Sequence, residues 1–153
     1  MRLTSFSDYA LRLLMMVDSA APRLVTIEEA SRRYRISRTH LMKVANQLTR
    51  TGFLEAVRGR SGGLRLARPA AEIRIGDVVR ATEPDFGLVE CFLTGNQCQI
   101  TRICHLPALI DSALQAFLAV LDQRTLADVS LTDRTWVEGL KSPQAAEAER
   151  HTR

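Results

Sequence analysis

SRTHLMKVANQLTRTGFLEAVRGRSGGLRLAR, residues 37–68, is the stretch on which the reading of this chain turns. Ser37 is a capping residue, and Leu41, Val44, Ala45 and Leu48 follow on one face of a helical repeat. Gly52 stands where a left-handed residue closes a helix, so the pattern predicts a helix from Arg38 to about Thr51. Phe53–Val57 and Leu64–Arg68 then alternate on either side of Arg58-Gly-Arg-Ser-Gly-Gly63, the pattern of a β-hairpin.

Working outward, Thr26-Ile-Glu-Glu29 fits a capping box opening a short helix that runs to about Tyr34. Tyr34-Arg-Ile-Ser37 joins the two helices at helix-turn-helix spacing. Upstream, Phe6, Tyr9, Ala10, Leu13, Leu14, Met16 and Val17 predict a helix over Ser5–Ala20, with Thr4, Ser5 and Ser7 as caps and Pro22 as its stop. Downstream, Pro69 ends the second strand and Ile75–Thr82 reads as another short helix. A hairpin directly behind a helix-turn-helix is a wing. The expected fold is therefore mainly α with a small β-hairpin wing: a winged helix-turn-helix followed by a long C-terminal dimerisation helix.

That last helix is expected after Pro107, a residue suited to a first helical turn. Leu109, Ile110, Ala113, Leu114, Phe117, Val120 and Leu121 make an apolar stripe broader than one small domain needs, which points to a homodimer. The expected organisation is residues 1–82 for the DNA-binding unit, 83–106 for a cysteine-bearing loop, 107–130 for the dimerisation helix and 131–153 for a flexible tail.

The 153 residues carry 46% hydrophobic and 25% charged side chains, an ordinary globular balance that excludes collagen-like and disordered classes. The strongest apolar run, Leu13–Val17, is far too short for a bilayer, and Asp8 and Arg12 interrupt any secretory signal. A cytoplasmic, non-membrane protein is expected. The net charge of +4 hides an asymmetry: residues 1–80 sum to +8 and residues 81–153 to −4. Arginine supplies nearly all the cations, and its fork suits phosphate and guanine edges. The basic half is thus a candidate for double-stranded DNA. Arg38, Thr39 and His40 occupy the early outward places from which a recognition helix reaches base edges, and Asn46 shares that face. Lys43 and Arg50 suit phosphate, and Arg58 and Arg60 at the wing tip suit a minor groove. The plain alternative is a solvated basic face.

Cys91, Cys98 and Cys104 fall within fourteen residues, in a loop otherwise rich in Thr, Asn, Gln and Gly. Such a loop offers no core to bury them. Gaps of six and five residues are too wide for a zinc knuckle, and soft thiolates select zinc, copper or iron–sulfur clusters. Three thiolates leave a four-ligand site one short; His105, Asp111, Glu90 or a residue from elsewhere could complete it. Nothing reads as a substrate cleft or a general base, so no enzyme is expected.

Met1-Arg-Leu-Thr-Ser-Phe-Ser-Asp-Tyr9, the Val57–Gly63 wing, Arg74-Ile-Gly-Asp-Val-Val79 and the three-cysteine loop together resemble the Rrf2 family of bacterial winged-helix regulators, over about residues 1–130. Ser37–Val44, Asn46-Gln-Leu48 and Thr125-Leu-Ala-Asp128 look most like its nitric-oxide-sensing repressors. The resemblance implies one iron–sulfur cluster per subunit on Cys91, Cys98 and Cys104, with [4Fe-4S] favoured over [2Fe-2S]. It implies Asp8 of the opposite subunit as fourth ligand, oriented by Arg12, and a pseudo-palindromic operator released when nitric oxide is present. Members that govern cluster biogenesis carry a histidine where this chain has Pro107, a departure that points away from them. Iron- or redox-responsive members similar to RirA are the alternative within the family. A thiol redox switch or a zinc-stabilised DNA-binding protein is the alternative outside it.

Overall fold

The computed structural model describes residues 2–131. Its helices are α1 (Ser5–Ala20), α2 (Ile27–Tyr34), α3 (Arg38–Arg50), α4 (Ile75–Thr82), α5 (Leu106–Asp122) and the short α6 (Leu126–Val129); β1 (Leu54–Val57) and β2 (Gly63–Leu66) lie between α3 and α4. The mostly helical chain with one antiparallel hairpin is the winged-helix arrangement that the sequence predicts.

Local chemistry starts each helix. The Thr4, Thr26 and Ser37 hydroxyls accept from the N–H groups of Ser7, Glu29 and His40, so each satisfies one donor that a helix start leaves open. The reciprocal arm expected from Glu29 is not made. Its carboxylate instead takes both terminal nitrogens of Arg23, at 2.9 and 2.7 Å. At the end of α3, Gly52 adopts φ +75°. Its N–H reaches Thr49 O at 3.2 Å while Phe53 N–H reaches Leu48 O at 2.9 Å, closing the helix and turning the chain into the wing.

In the hairpin Leu54 faces Leu66 and Glu55 faces Arg65, whose guanidinium donates to the Glu55 carboxylate twice at 3.0 Å. A third edge, with no mark in the sequence pattern, adds to this pair. Val25, between α1 and α2, exchanges two hydrogen bonds with Leu64 (3.1 and 2.8 Å) and fastens the wing to the helical body.

One core lies inside α1, α2, α3 and the wing, built on Leu13, Leu14, Met16, Leu41, Val44, Leu48, Leu54 and Leu64. Ser7 and Thr82 form a buried hydroxyl pair at 2.8 Å between α1 and α4. Thr82 gives its own proton to Val78 O at 2.8 Å, so Ser7 is the donor to Thr82. A second, smaller core seats α5 on α4 through Ile75, Val79, Leu114 and Leu118.

Within the stretch 107–130 the helix that carries the apolar stripe is followed by a second, short one. α5 ends at Asp122, and a Thr125–Asp128 capping box starts α6, which turns back to the first core. Leu126 is fully buried there, and its N–H donates to Ile73 O at 2.8 Å. The physical reason is that a leucine at 126 finds a closed apolar site on the winged helix, which a straight continuation of α5 would leave empty. Of the tail expected over residues 131–153, all but Leu131 lies outside the described residues. Among the described residues no helix is long and apolar enough to cross a membrane.

Candidate functional site

α3 buries Leu41, Val44, Ala45 and Leu48 and leaves Arg38, Thr39, His40, Lys43, Asn46 and Arg50 exposed. The six polar residues expected to meet DNA therefore share the open side of one helix. Two are partly engaged. Arg38 pairs with Glu28 of α2 at 3.0 Å, both side chains being at least half exposed. Arg50 donates to Gln47 Oε1 at 2.9 Å. The His40 ring lies 6.5 Å from that of Tyr9 on α1. Met42 is also exposed on this helix, although in the sequence an apolar residue beside Leu41 reads as core. Its position four before Asn46 and three after Thr39 was the signal that it faces outward.

The helix-turn-helix turn holds Arg35 at φ +55°, an uncommon conformation for a residue with a side chain. At the wing tip Arg58 and Arg60 are exposed. Gly62 is required there, because a Cβ would run into the carbonyl oxygens of Val57 and Gly59. The tight turn so formed carries both arginines at an exposed tip. Burial pushes the Tyr34 phenol up to about 12, against the pull of Arg12 and Arg33. It stays protonated and donates to Arg12 O at 2.9 Å, tying α2 to α1.

Asp8 lies in the first turn of α1 and forms a two-pronged pair with Arg12 (2.9 and 2.8 Å), each side chain nearly half exposed. The pair leaves the carboxylate on the surface, within reach of another molecule, while fixing its direction.

Between α4 and α5 the chain has little regular structure, and the three cysteines are half-buried free thiols. Side-chain hydrogen bonds organise this loop. Glu90 accepts from Gln97 N–H at 3.1 Å, drawing the segment that starts Cys91 beside the one that starts Cys98. Asn96 accepts from Cys98 N–H at 2.9 Å and donates to Thr101 Oγ1 at 3.0 Å, and Thr101 donates to Cys98 O at 2.8 Å. Among the described residues no three Cys, His, Asp or Glu side chains come together as a metal site. Asp8 and the cysteines are accordingly not brought to one point within a single chain. The donor set nonetheless fits an iron–sulfur cluster: three soft, unpaired, partly exposed sulfurs on one loop.

On α5, Leu106, Leu109 and Val120 are 48%, 66% and 62% exposed, and Ala113 and Ala116 between them are open too. These five fall at alternating intervals of three and four, the seam spacing of a helix that packs along another helix. A cleft of about 510 Å³ lies beneath the first half of α5, lined by Leu3, Phe86, Leu88, Ile110 and Phe117 with Arg2 and Glu83 at its polar side.

The chain matches, over residues 3–131, the family model described as Rrf2, iron-dependent transcriptional regulator. Solved structures of the same fold include CymR of B. subtilis, described as its global cysteine regulator, at TM-score 0.65 and 21% identity over 85% of this chain and 96% of that one. CymR of Staphylococcus aureus gives TM-score 0.69 and 23% identity over 85% and 99%. T. potens IscR gives 0.63 and 23% over 84% and 85%. At these identities the likeness establishes the fold, and the family match, which spans most of the chain, establishes the class. The protein belongs to the Rrf2 family and is a transcriptional regulator, not an enzyme.

Proposed function

We propose that this regulator is a cytoplasmic, homodimeric repressor whose hold on a pseudo-palindromic operator is set by an iron–sulfur cluster that senses nitric oxide, the behaviour of NsrR-type members. The observation that carries the reading is the placement of three unpaired thiols on the loop joining the DNA-reading unit to the helix with an open apolar seam. A loop so placed is joined in the chain to the winged helix on one side and to the prospective dimer contact on the other.

Cys91, Cys98 and Cys104 would hold the cluster, with Asp8 of the opposite subunit as fourth donor. Bound there, the cluster would supply iron that nitric oxide attacks, an oxygen ligand leaving one iron more open than thiolate would. The chain's own residues do the rest. Arg12 aims the Asp8 carboxylate. The Glu90 and Asn96 hydrogen bonds pre-gather the loop. Leu106, Leu109 and Val120 pair two subunits, so that two α3 helices meet successive major grooves about one DNA turn apart. Arg38, Thr39, His40 and Asn46 face base edges, while Lys43, Arg50, Arg58 and Arg60 meet phosphates or the minor groove.

The test is to purify the full chain anaerobically, record its visible spectrum, iron and sulfide, and titrate nitric oxide while following operator binding. Brown protein whose operator affinity falls on titration supports the reading; unchanged affinity overturns the sensing claim. Cys98→Ala should abolish the visible absorbance, and a surviving chromophore removes Cys98 from the ligand set. Colourless, zinc-loaded protein would favour the zinc-stabilised alternative, and response to iron supply without response to nitric oxide the RirA-like one.

A further inference from the structure

Within residues 2–82, Met42 is the one large apolar side chain left widely exposed, at 51%; the others of its kind all fall between Leu88 and Val129. It is not on an incidental surface. It lies on the outward side of α3 between Thr39, one turn before it, and Asn46, one turn after it, with Lys43 adjacent. An apolar group in the middle of a cationic, hydrogen-bonding strip has little to gain from water or from an acidic protein surface. The major groove offers one apolar feature, the C5-methyl of thymine.

We propose that Met42 is a specificity residue that reads a thymine methyl in each half-site. This rests on the DNA-reading role of α3 argued above. The flexible, polarisable thioether adapts to a methyl group without fixed geometry. Its neighbours favour the same base pair. Asn46 presents the amide that pairs two-pronged with adenine, and Thr39 offers a methyl of its own. Arg38, the natural guanine reader nearby, stands at the first position of the helix, one turn before Met42 and two before Asn46. Four helical residues span about 6 Å along the axis and base pairs stack about 3.4 Å apart. Met42 and Asn46 therefore fall one or two base steps apart, and the centre of the half-site should be A·T in character.

The experiment starts from the full-length, anaerobically purified protein and a duplex selected with it from random DNA. Each thymine of that duplex is then replaced singly by deoxyuridine, which removes the methyl and keeps the hydrogen bonds. Wild type should lose roughly threefold to fivefold in affinity at one thymine per half-site, the effect of one methyl group. Met42→Ala should bind more weakly by a similar factor and become indifferent to that replacement, while Met42→Leu keeps the sensitivity. Lys43→Ala should weaken binding yet leave the deoxyuridine profile as in wild type. A wild type indifferent to every replacement, or a Met42→Ala variant with the wild-type profile, overturns the assignment while DNA reading stands. Failure of the wild type to enrich any sequence overturns the DNA-reading role itself, and this inference with it.

Discussion

Leu126→Ala tests the return of the chain to the winged-helix core after α5. The side chain is fully buried, and its neighbours there include residues from α1 and the segment before α4. Truncation removes three carbon groups, about 2 kcal/mol at roughly 0.8 kcal/mol per buried methylene. The space left behind adds to this, and comparable substitutions cost about 2.7–5 kcal/mol. α6 is a single turn, free to settle inward because Ala127, Asp128 and Val129 are exposed, so the lower part of that range applies, about 3 kcal/mol. For a fold of this size that is a fall in Tm of about 10 °C. Urea unfolding should be run at one fixed protein concentration, because subunit association adds stability by mass action. Val129→Ala is the internal control: the same short helix, 39% exposed, and expected within about 0.5 kcal/mol of wild type. If the two variants differ by less than 0.5 kcal/mol, Leu126 does not pack in the core and the return described here is wrong.

Backbone conformation yields a pair of opposite signs. Gly52→Ala, at φ +75°, should cost about 1 kcal/mol, whereas Arg35→Gly, at φ +55°, should stabilise by up to about 1 kcal/mol; shifts of the same sign in urea unfolding would refute the assignment. Lys43→Ala or Arg60→Ala should lower the slope of log affinity against log salt by about 1 on operator DNA. A slope unchanged in either variant removes that residue from the phosphate contacts. The Arg80 guanidinium, donating to Asp122 at 2.6 and 2.8 Å, holds the Asp122 carboxyl below its ordinary value of 3.8. A depressed folded-state pKa contributes stability that is complete above the ordinary value and is lost as pH falls through the lowered one. Asp122→Asn should therefore melt lower than wild type at neutral pH, with the gap closing as pH drops below 3.8; a pH-independent gap would contradict the pairing.

What the sequence reveals is what depends on neighbours in the chain. Thr4, Thr26, Ser37 and Gly52 each act within a turn or two of their own position, and all four perform the capping role that their residue types imply. The wing follows from alternation around glycines. What escapes is set by residues far apart. Val25 meets Leu64 across 39 positions through a single pair, too short for any periodicity to register. Glu29 has a local partner on paper, but Arg23 offers a full charge and takes it. The break after Asp122 carries no glycine or proline; the visible Thr125–Asp128 box marks a new start, and only the buried seat of Leu126 shows why the chain turns. The cysteine spacing is plain in the sequence, yet whether three sulfurs converge depends on what they bind. Met42 is ambiguous for a different reason, since apolar residues signal burial and DNA is a partner that the pattern of one chain does not contain.

The way α5 is fastened determines where a change in the cysteine loop can be felt. Its C-terminal half is fixed: Leu114 and Leu118 are buried on α4, Asp122 is clamped by Arg80, and Ile75 N–H donates to Arg124 O at 2.9 Å just beyond the helix. Gly76 makes that clamp fit, because any side chain there would collide with the Asp122 carboxylate. Its N-terminal half is not fixed in this way, for Leu106 and Leu109 are exposed and the cleft beside Ile110 is unfilled. Cys104 is two residues before this loose end. On the function proposed above, drawing Cys104 toward Cys91 and Cys98 would act first on this less fastened end of α5, and only last on the end clamped at Asp122. The exposed seam begins at that end, so on the same proposal a shift there would alter how two subunits pair. It would thereby alter the spacing of their two α3 helices, to which a two-groove DNA contact is most sensitive. Control of this kind needs no pathway through the winged helix, only a dimer contact hinged at one end.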